Sequence, residues 1–160
     1  MKKIFFWILF FILFPVSITY SKGKNYDVTS KSIGNIKLGM TQKQVSDFLG
    51  KPTKSENYKC GSGIVELINN YKNGFLVVFV KKKDTWIAQT ISVSSGKYHY
   101  KDIKIRDASK KSTKYGFEEE GCTGDFVKYS EKYSIYLLLN EKQNIQGFTV
   151  VDNSYFCDDC

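Results

Sequence analysis

Ile36-Lys37-Leu38-Gly39-Met40-Thr41-Gln42-Lys43-Gln44-Val45-Ser46-Asp47-Phe48-Leu49-Gly50-Lys51-Pro52 is the stretch on which the reading of this fold turns. Nearly every position has a local task in building one short helix. Thr41 is placed to cap it, and Gln44, three residues on, can reach back to complete a capping box. Met40 before the cap and Val45 at the fourth helical position form a hydrophobic staple. Val45, Phe48 and Leu49 recur at helical spacing and give one apolar face. Gly50 suits the left-handed conformation that ends a helix, and Pro52 forbids continuation. The spacing predicts a helix over Gln42 to Leu49.

Outward from that helix the pattern changes from a period of 3.6 to a period of 2. Cys60 to Gly63 reads as a loop and Ile64 to Tyr71 as a strand. Asn73-Gly74 is a strong hairpin signal, which calls for a tight turn with both central residues at positive φ. Phe75 to Val80 is apolar on both faces and is expected to lie centrally in a sheet. Lys81 to Thr85 turns the chain into a third strand, Trp86 to Val93. On it Ile87, Ile91 and Val93 should face one way, with Trp86, Ala88 and Thr90 the other.

The same order recurs in weaker form. Ile103-Lys104-Ile105-Arg106-Asp107 echoes Ile36-Lys37-Leu38-Gly39-Met40, 67 residues further on. Asp107 is a candidate cap for a second helix running to Tyr115, with Gly116 as its stop. Strands are expected at Asp125 to Tyr129, Tyr133 to Leu139 and Ile145 to Val151. Each half therefore reads as a helix followed by a three-strand antiparallel meander, an α+β arrangement joined near Ser94 to Lys101. The expected division is a signal peptide over 1–21, a first repeat over 22–96, and over 97–160 a second, degenerate repeat with a cysteine-containing tail.

The pattern Ile36-x-Leu38-Gly39-Met40-Thr41-x-x-Gln44-Val45-x-x-x-Leu49-Gly50-x-Pro52 resembles the start of the SmpA/OmlA domain, also called BamE-like. In tandem it is similar to the β-lactamase inhibitory protein. The resemblance implies two repeats that lay one curved sheet against helices packed on one face. It also implies an exported protein of the bacterial envelope that works by binding other proteins. No lipobox cysteine is present, and nothing reproduces an inhibitor's contact residues, so neither a lipoprotein role nor β-lactamase inhibition is carried over.

The N-terminus has the grammar of a secretory signal. Lys2 and Lys3 precede the apolar run Ile4 to Phe14, and Ser17, Thr19 and Ser21 supply small residues for cleavage. The run is shorter than the ~20 residues of a spanning helix. A mature chain beginning near Tyr20 or Lys22, with no stable membrane span, is expected in the periplasm or outside the cell. The roughly 140 residues that remain suit one compact domain or two small repeats, and 42% hydrophobic and 16% aromatic residues can build a core. Removing Lys2 and Lys3 from 24 basic residues leaves 22 against 16 acidic, about +6. Arg106 is the single arginine, whereas phosphate and guanine recognition favour arginine, so nucleic acid is not expected as a partner.

Catalytic machinery is sparse. His99, between Tyr98 and Tyr100, is the sole histidine, which removes most acid–base, triad and metal architectures. It reads as a solvent-facing residue of the joining segment, and Glu118-Glu119-Glu120 as a solvated loop. No catalytic residue, metal or cofactor is expected. Cys60, Cys122, Cys157 and Cys160 are an even number in an exported chain, so disulfides with no free thiol are the expectation, in any of three connectivities. Cys157-Asp158-Asp159-Cys160 could serve thiol redox chemistry or half of a zinc site, but two aspartates between the thiols would raise their pKa. A small sheet with this many apolar and aromatic residues has more than one helix layer can cover. Tyr71, Phe75, Trp86 and Tyr136 are the candidate anchors of an exposed binding face. The function expected is a non-enzymatic protein-binding or envelope scaffold module. A protein inhibitor of a hydrolase and a thiol-redox accessory are the alternatives.

Overall fold

The computed structural model describes residues 26–121 and 124–154, and strands dominate them. The chain opens with a small meander, β1 (Val28–Thr29), β2 (Ser32–Ile33) and β3 (Ile36–Lys37). Helix α1 (Gln42–Leu49) follows, then four antiparallel strands: β4 (Lys54–Lys59), β5 (Val65–Asn70), β6 (Phe75–Lys82) and β7 (Thr85–Val93). The second half opens on a hairpin, β8 (His99–Tyr100) with β9 (Ile103–Lys104), and a 3-10 helix over Ser109–Tyr115. It ends in β10 (Glu118–Glu119), β11 (Phe126–Tyr129), β12 (Tyr133–Leu139) and β13 (Ile145–Asp152).

The helix forms as its sequence dictates. Thr41 Oγ1 accepts a hydrogen bond from the Gln44 amide (3.2 Å), and Gln44 Oε1 accepts one from the Thr41 amide (2.8 Å), closing the capping box. Val45 is fully buried. Gly50 has φ +81°, but its ψ of −163° is extended rather than left-handed helical. Thr41→Ala should destabilise the protein by about 1 kcal/mol, the usual loss for an N-cap; a urea midpoint within error of the parent would contradict this.

Eight strands form one antiparallel sheet in the order β10-β11-β12-β13-β7-β6-β5-β4. The two halves join where β13 pairs with β7, Phe148 opposite Val93 and Val150 opposite Ile91. Gly147 is required at this seam: a Cβ there would stand 2.5 Å from the Val93 carbonyl oxygen. Phe75, Val77 and Phe79 of β6, Ile91 and Val93 of β7, and Phe148 and Val150 of β13 all point to one face and join one core. That core is closed by Val28, Ile33 and Ile36 from the β1–β3 meander, Val45 from α1, and Tyr100 and Ile103 from the β8–β9 hairpin.

This is a mainly β protein, not the α+β arrangement of helices packed on a sheet face that the sequence predicted. The covering layer is largely hairpin, and α1 is the one α-helix among the described residues. The second expected helix is a 3-10 helix whose N-cap is Ala108, with no side-chain cap bond. Asp107 does not cap it. Its carboxylate instead accepts from the Lys104 amide and the Lys111 ammonium, both at 2.8 Å, and without Val45 and Leu49 equivalents no amphipathic face drives an α-helix. Gly116 ends the turn in the left-handed region as its sequence position suggests.

One turn and one strand also differ from expectation. Tyr71 and Phe75 close a three-residue loop through the Tyr71 amide and the Phe75 carbonyl, and of Asn73 and Gly74 only Gly74 has positive φ. In β7 the register shifts so that Thr90 pairs Val78 but Ala88 pairs Phe79, leaving Gln89 as an extra residue. This bulge re-aims the side chains before it. Ala88, Ile91 and Val93 enter the core, and Ile87 lies half-exposed. The pattern also missed β1 to β3, too short to show a period, and β4, whose six residues are all exposed.

Candidate functional site: the outer face of the sheet

Strand alternation that sends one set of residues into the core sends the other to the opposite face. There the cross-strand pairs build two transverse rows. One runs Ile68, Val78, Thr90, Val151, Ser134. The next runs Leu76, Ser92, Thr149, Tyr136 and Val127. Hydroxyls occupy the middle of the sheet, where the Ser92 and Thr149 oxygens lie 2.8 Å apart, and apolar side chains flank them. Ile68, Leu76, Val78, Val151 and Tyr136 are part-exposed, and Leu138 is 38% exposed. None of these belongs to the buried core. Tyr129, 56% exposed, stands edge-on to Tyr136 with centroids 6.5 Å apart.

Tyr129 is fixed by donating its phenol proton to Glu120 Oε1 at 2.5 Å. That bond, then burial, raises the Tyr129 pKa; burial, then the charge of Glu120, raises that of Tyr136. Both phenols therefore stay neutral through the physiological range, as hydrogen-bonding rather than charged groups.

The predicted anchors divide between core and surface. Tyr71 and Phe75 are 4% and 2% exposed and belong to the core, so they offer nothing to a partner. Trp86 is half-buried on the covered side of β7, packed against the core. Tyr136 alone lies on the outer face. The residues missed there, Leu76, Val78, Ile68 and Val151, had a signal: β6 is apolar on both faces, one of which faces the core while the other is part-exposed among the described residues. His99 is not a bare solvent residue, since its Nε2 lies 3.6 Å from Asp27 Oδ1 and its Nδ1 3.1 Å from the Lys101 carbonyl oxygen. Glu118 and Glu119 form the edge strand β10 rather than a loop.

Among the described residues no group of three or more His, Cys, Asp or Glu side chains is placed to hold a metal ion, and no helix is long and apolar enough to cross a membrane. Cys60 is 3% exposed and disulfide-bonded. Cys122, Cys157 and Cys160 lie outside the described residues, as does the predicted signal peptide.

The second half carries a clasp of charges away from the sheet. Asp102 accepts from Lys114 Nζ at 2.8 Å and from Tyr115 Oη at 2.5 Å. The Lys114 bond, then that of Tyr115, holds its carboxyl at about 2, against an ordinary 3.8. A depressed folded-state pKa stabilises above the unfolded value and is lost as pH falls through the folded one. The β8–β9 turn should therefore loosen between pH 3.8 and about 2. Asp102→Asn should abolish that response in acid titration followed by amide exchange at Lys101 to Ile103. An unchanged response would contradict the clasp.

No protein family matches the chain, and no curated protein matches it. Its fold is similar to the crystal structure of an extracellular protein containing an SCP domain from Bacillus anthracis str. Ames, with a TM-score of 0.51 and 13% identity. The match covers 72% of this chain and 44% of that one, so this chain spans less than half of the other's length. At that identity the likeness is one of fold alone. It overturns the resemblance to the SmpA/OmlA domain and, with it, the tandem arrangement of the β-lactamase inhibitory protein type. The reason is that residues 36–52 encode a capped helix entered from a strand. That is local chemistry, available to any sheet that uses one short helix as a lid.

Proposed function

We propose that this is an exported, non-enzymatic binding module that holds a protein partner against the outer face of its sheet. The observation that carries the reading is the pair of rows centred on Val78, Thr90 and Val151, which stay part-exposed among the described residues although Ser134, Thr149 and Val127 within them are buried. Part-exposed aliphatic side chains flanking a hydroxyl-bearing centre, with Tyr129 and Tyr136 at one side, offer a partner apolar and aromatic contacts together with hydroxyls that fix its register. Export is supported by the apolar run after Lys2 and Lys3, by the disulfide at Cys60 and by the extracellular description of the structural neighbour.

The test is capture from envelope extract and culture fluid of the native host. The parent chain is expected to retain a defined partner, and Val78→Lys/Val151→Lys, with unchanged far-ultraviolet dichroism, to lose it. Equal capture by both chains would overturn the assignment of this face. A hydrolase that is captured and loses activity would mark the binding as inhibitory.

A further inference from the structure

A concave site lies at the end of the sheet, between the β1–β2 turn, the β8–β9 turn and the β11–β12 turn. Its volume is about 540 Å³, and its walls include Thr29, Ser130, Tyr133, Tyr129, Lys101 and Lys128. Two lysines converge here. The ammonium groups of Lys101 and Lys128 each lie 5.8 Å from the centroid of Tyr100, which also lines the groove. Lys101 also stands 4.4 Å from the Tyr115 centroid. Among the described residues neither lysine has a carboxylate within ion-pair distance. Lys128 is steered by donating to the Tyr115 carbonyl at 2.6 Å, which leaves two of its three protons to offer.

The geometry is held in place rather than left to solvent. Lys101 sits at φ +54° in the two-residue turn between β8 and β9, a backbone state that a side chain other than glycine adopts at a cost. Asp102, the next residue, ties that turn to Lys114 and Tyr115, and its carbonyl accepts from Lys111 at 2.7 Å. Asp27, the carboxylate on the groove wall, faces His99. Two ammonium groups on the wall of one groove, neither in an ion pair among the described residues, make it complementary to a negatively charged ligand.

We propose that this groove binds an anionic glycan, a sugar or polyol chain carrying phosphate or carboxylate groups. Lysines 101 and 128 would pair with the charges. The rings of Tyr129 and Tyr133 would pack against the apolar C–H faces of the chain, while the hydroxyls of Thr29 and Ser130 are spent on bonds within their own turns, which hold the groove wall in shape. The volume falls in the range of small-ligand sites, about 300–1,000 Å³, rather than that of a flat protein interface. The groove shares Tyr129 with the margin of the outer face but none of Leu76, Val78, Thr90 or Val151, so variants of Lys101 and Lys128 and variants of Val78 and Val151 test the two assignments separately.

Calorimetric titration of the oxidised full chain at low salt tests it, with poly(glycerol phosphate), polygalacturonate, neutral dextran and polyglutamate as probes. At least one of the anionic polyols or glycans should bind and dextran should not; which of the two binds identifies phosphate or carboxylate as the recognised group. Lys101→Gln/Lys128→Gln should weaken binding about tenfold. Lys81→Gln/Lys82→Gln, at the exposed end of β6, removes the same charge and should leave affinity within about twofold, since neither residue lines the groove. If the groove double variant fails to fold, exposed Lys101→Gln alone should still weaken binding about threefold. Equal losses in the two double variants would reduce the effect to net charge and overturn the site. So would polyglutamate binding as well as the glycans, or no binding of either glycan.

Discussion

Truncating Phe148 to alanine is expected to lower the folding stability by about 3–5 kcal/mol, the range for a fully buried phenylalanine. Phe148 has no exposed surface and sits between Val93 on β7 and Leu137 on β12, at the seam where the two halves become one sheet. The space left cannot be refilled by a shift of β13, because Gly147 already packs against the Val93 backbone. Both halves should lose stability together in a single urea transition. A loss under about 1 kcal/mol, or two separate transitions, would mean that the seam is not part of one cooperative core.

Breaking the bond at Cys60 should cost about 2–5 kcal/mol, as removal of a native disulfide does in a small exported domain. Cys60 is 3% exposed in the loop between β4 and β5. That loop is tied by its own amide to the Ile64 carbonyl and by the Gly63 amide to its carbonyl. Opening the bond leaves a buried thiol and frees the loop at the sheet edge. Cys60→Ser should lower the thermal midpoint by several degrees and make it less sensitive to dithiothreitol. An unmoved midpoint would contradict a stabilising bond there. Thiol counting under denaturing, non-reducing conditions is expected to find no free cysteine among the four.

What the sequence makes legible here is whatever is specified within one element. The capping box of α1 lies in Thr41 and Gln44, and β5 to β7 and β11 to β13 lie in runs of apolar and β-branched residues. Those signals are local, and the structure keeps them. The class of the fold is not local. It depends on what covers the sheet, and the cover is made of two-residue strands whose signal, a single Val28 or Ile33, is indistinguishable from loop. It depends too on β4, which shows no alternation because neither of its faces is buried. A family resemblance drawn from the helix entry therefore reached further than the residues that carried it.

The site was half legible for the same reason. Aromatic residues are sensible guesses for anchors, but Tyr71 and Phe75 are needed inside, and only pairing register tells inward from outward. The bulge at Gln89 shows how one extra residue changes that assignment in mid-strand. The outer face is built instead from modest residues, Leu76, Val78, Thr90 and Val151, whose meaning appears only once three strands are laid side by side. The lysines of the groove come together from positions 101 and 128 through tertiary pairing, which no spacing rule could join.

The central claim is that the outer face of the sheet meets a partner. A photo-crosslinking amino acid placed at Val78 or at Val151, each on the outer face, and at Lys43, on the solvent side of α1, tests it in the native host. Crosslinks to one common protein from Val78 and Val151, and none from Lys43, are predicted. Crosslinks from Lys43 alone, or different proteins from the two outer positions, would contradict it.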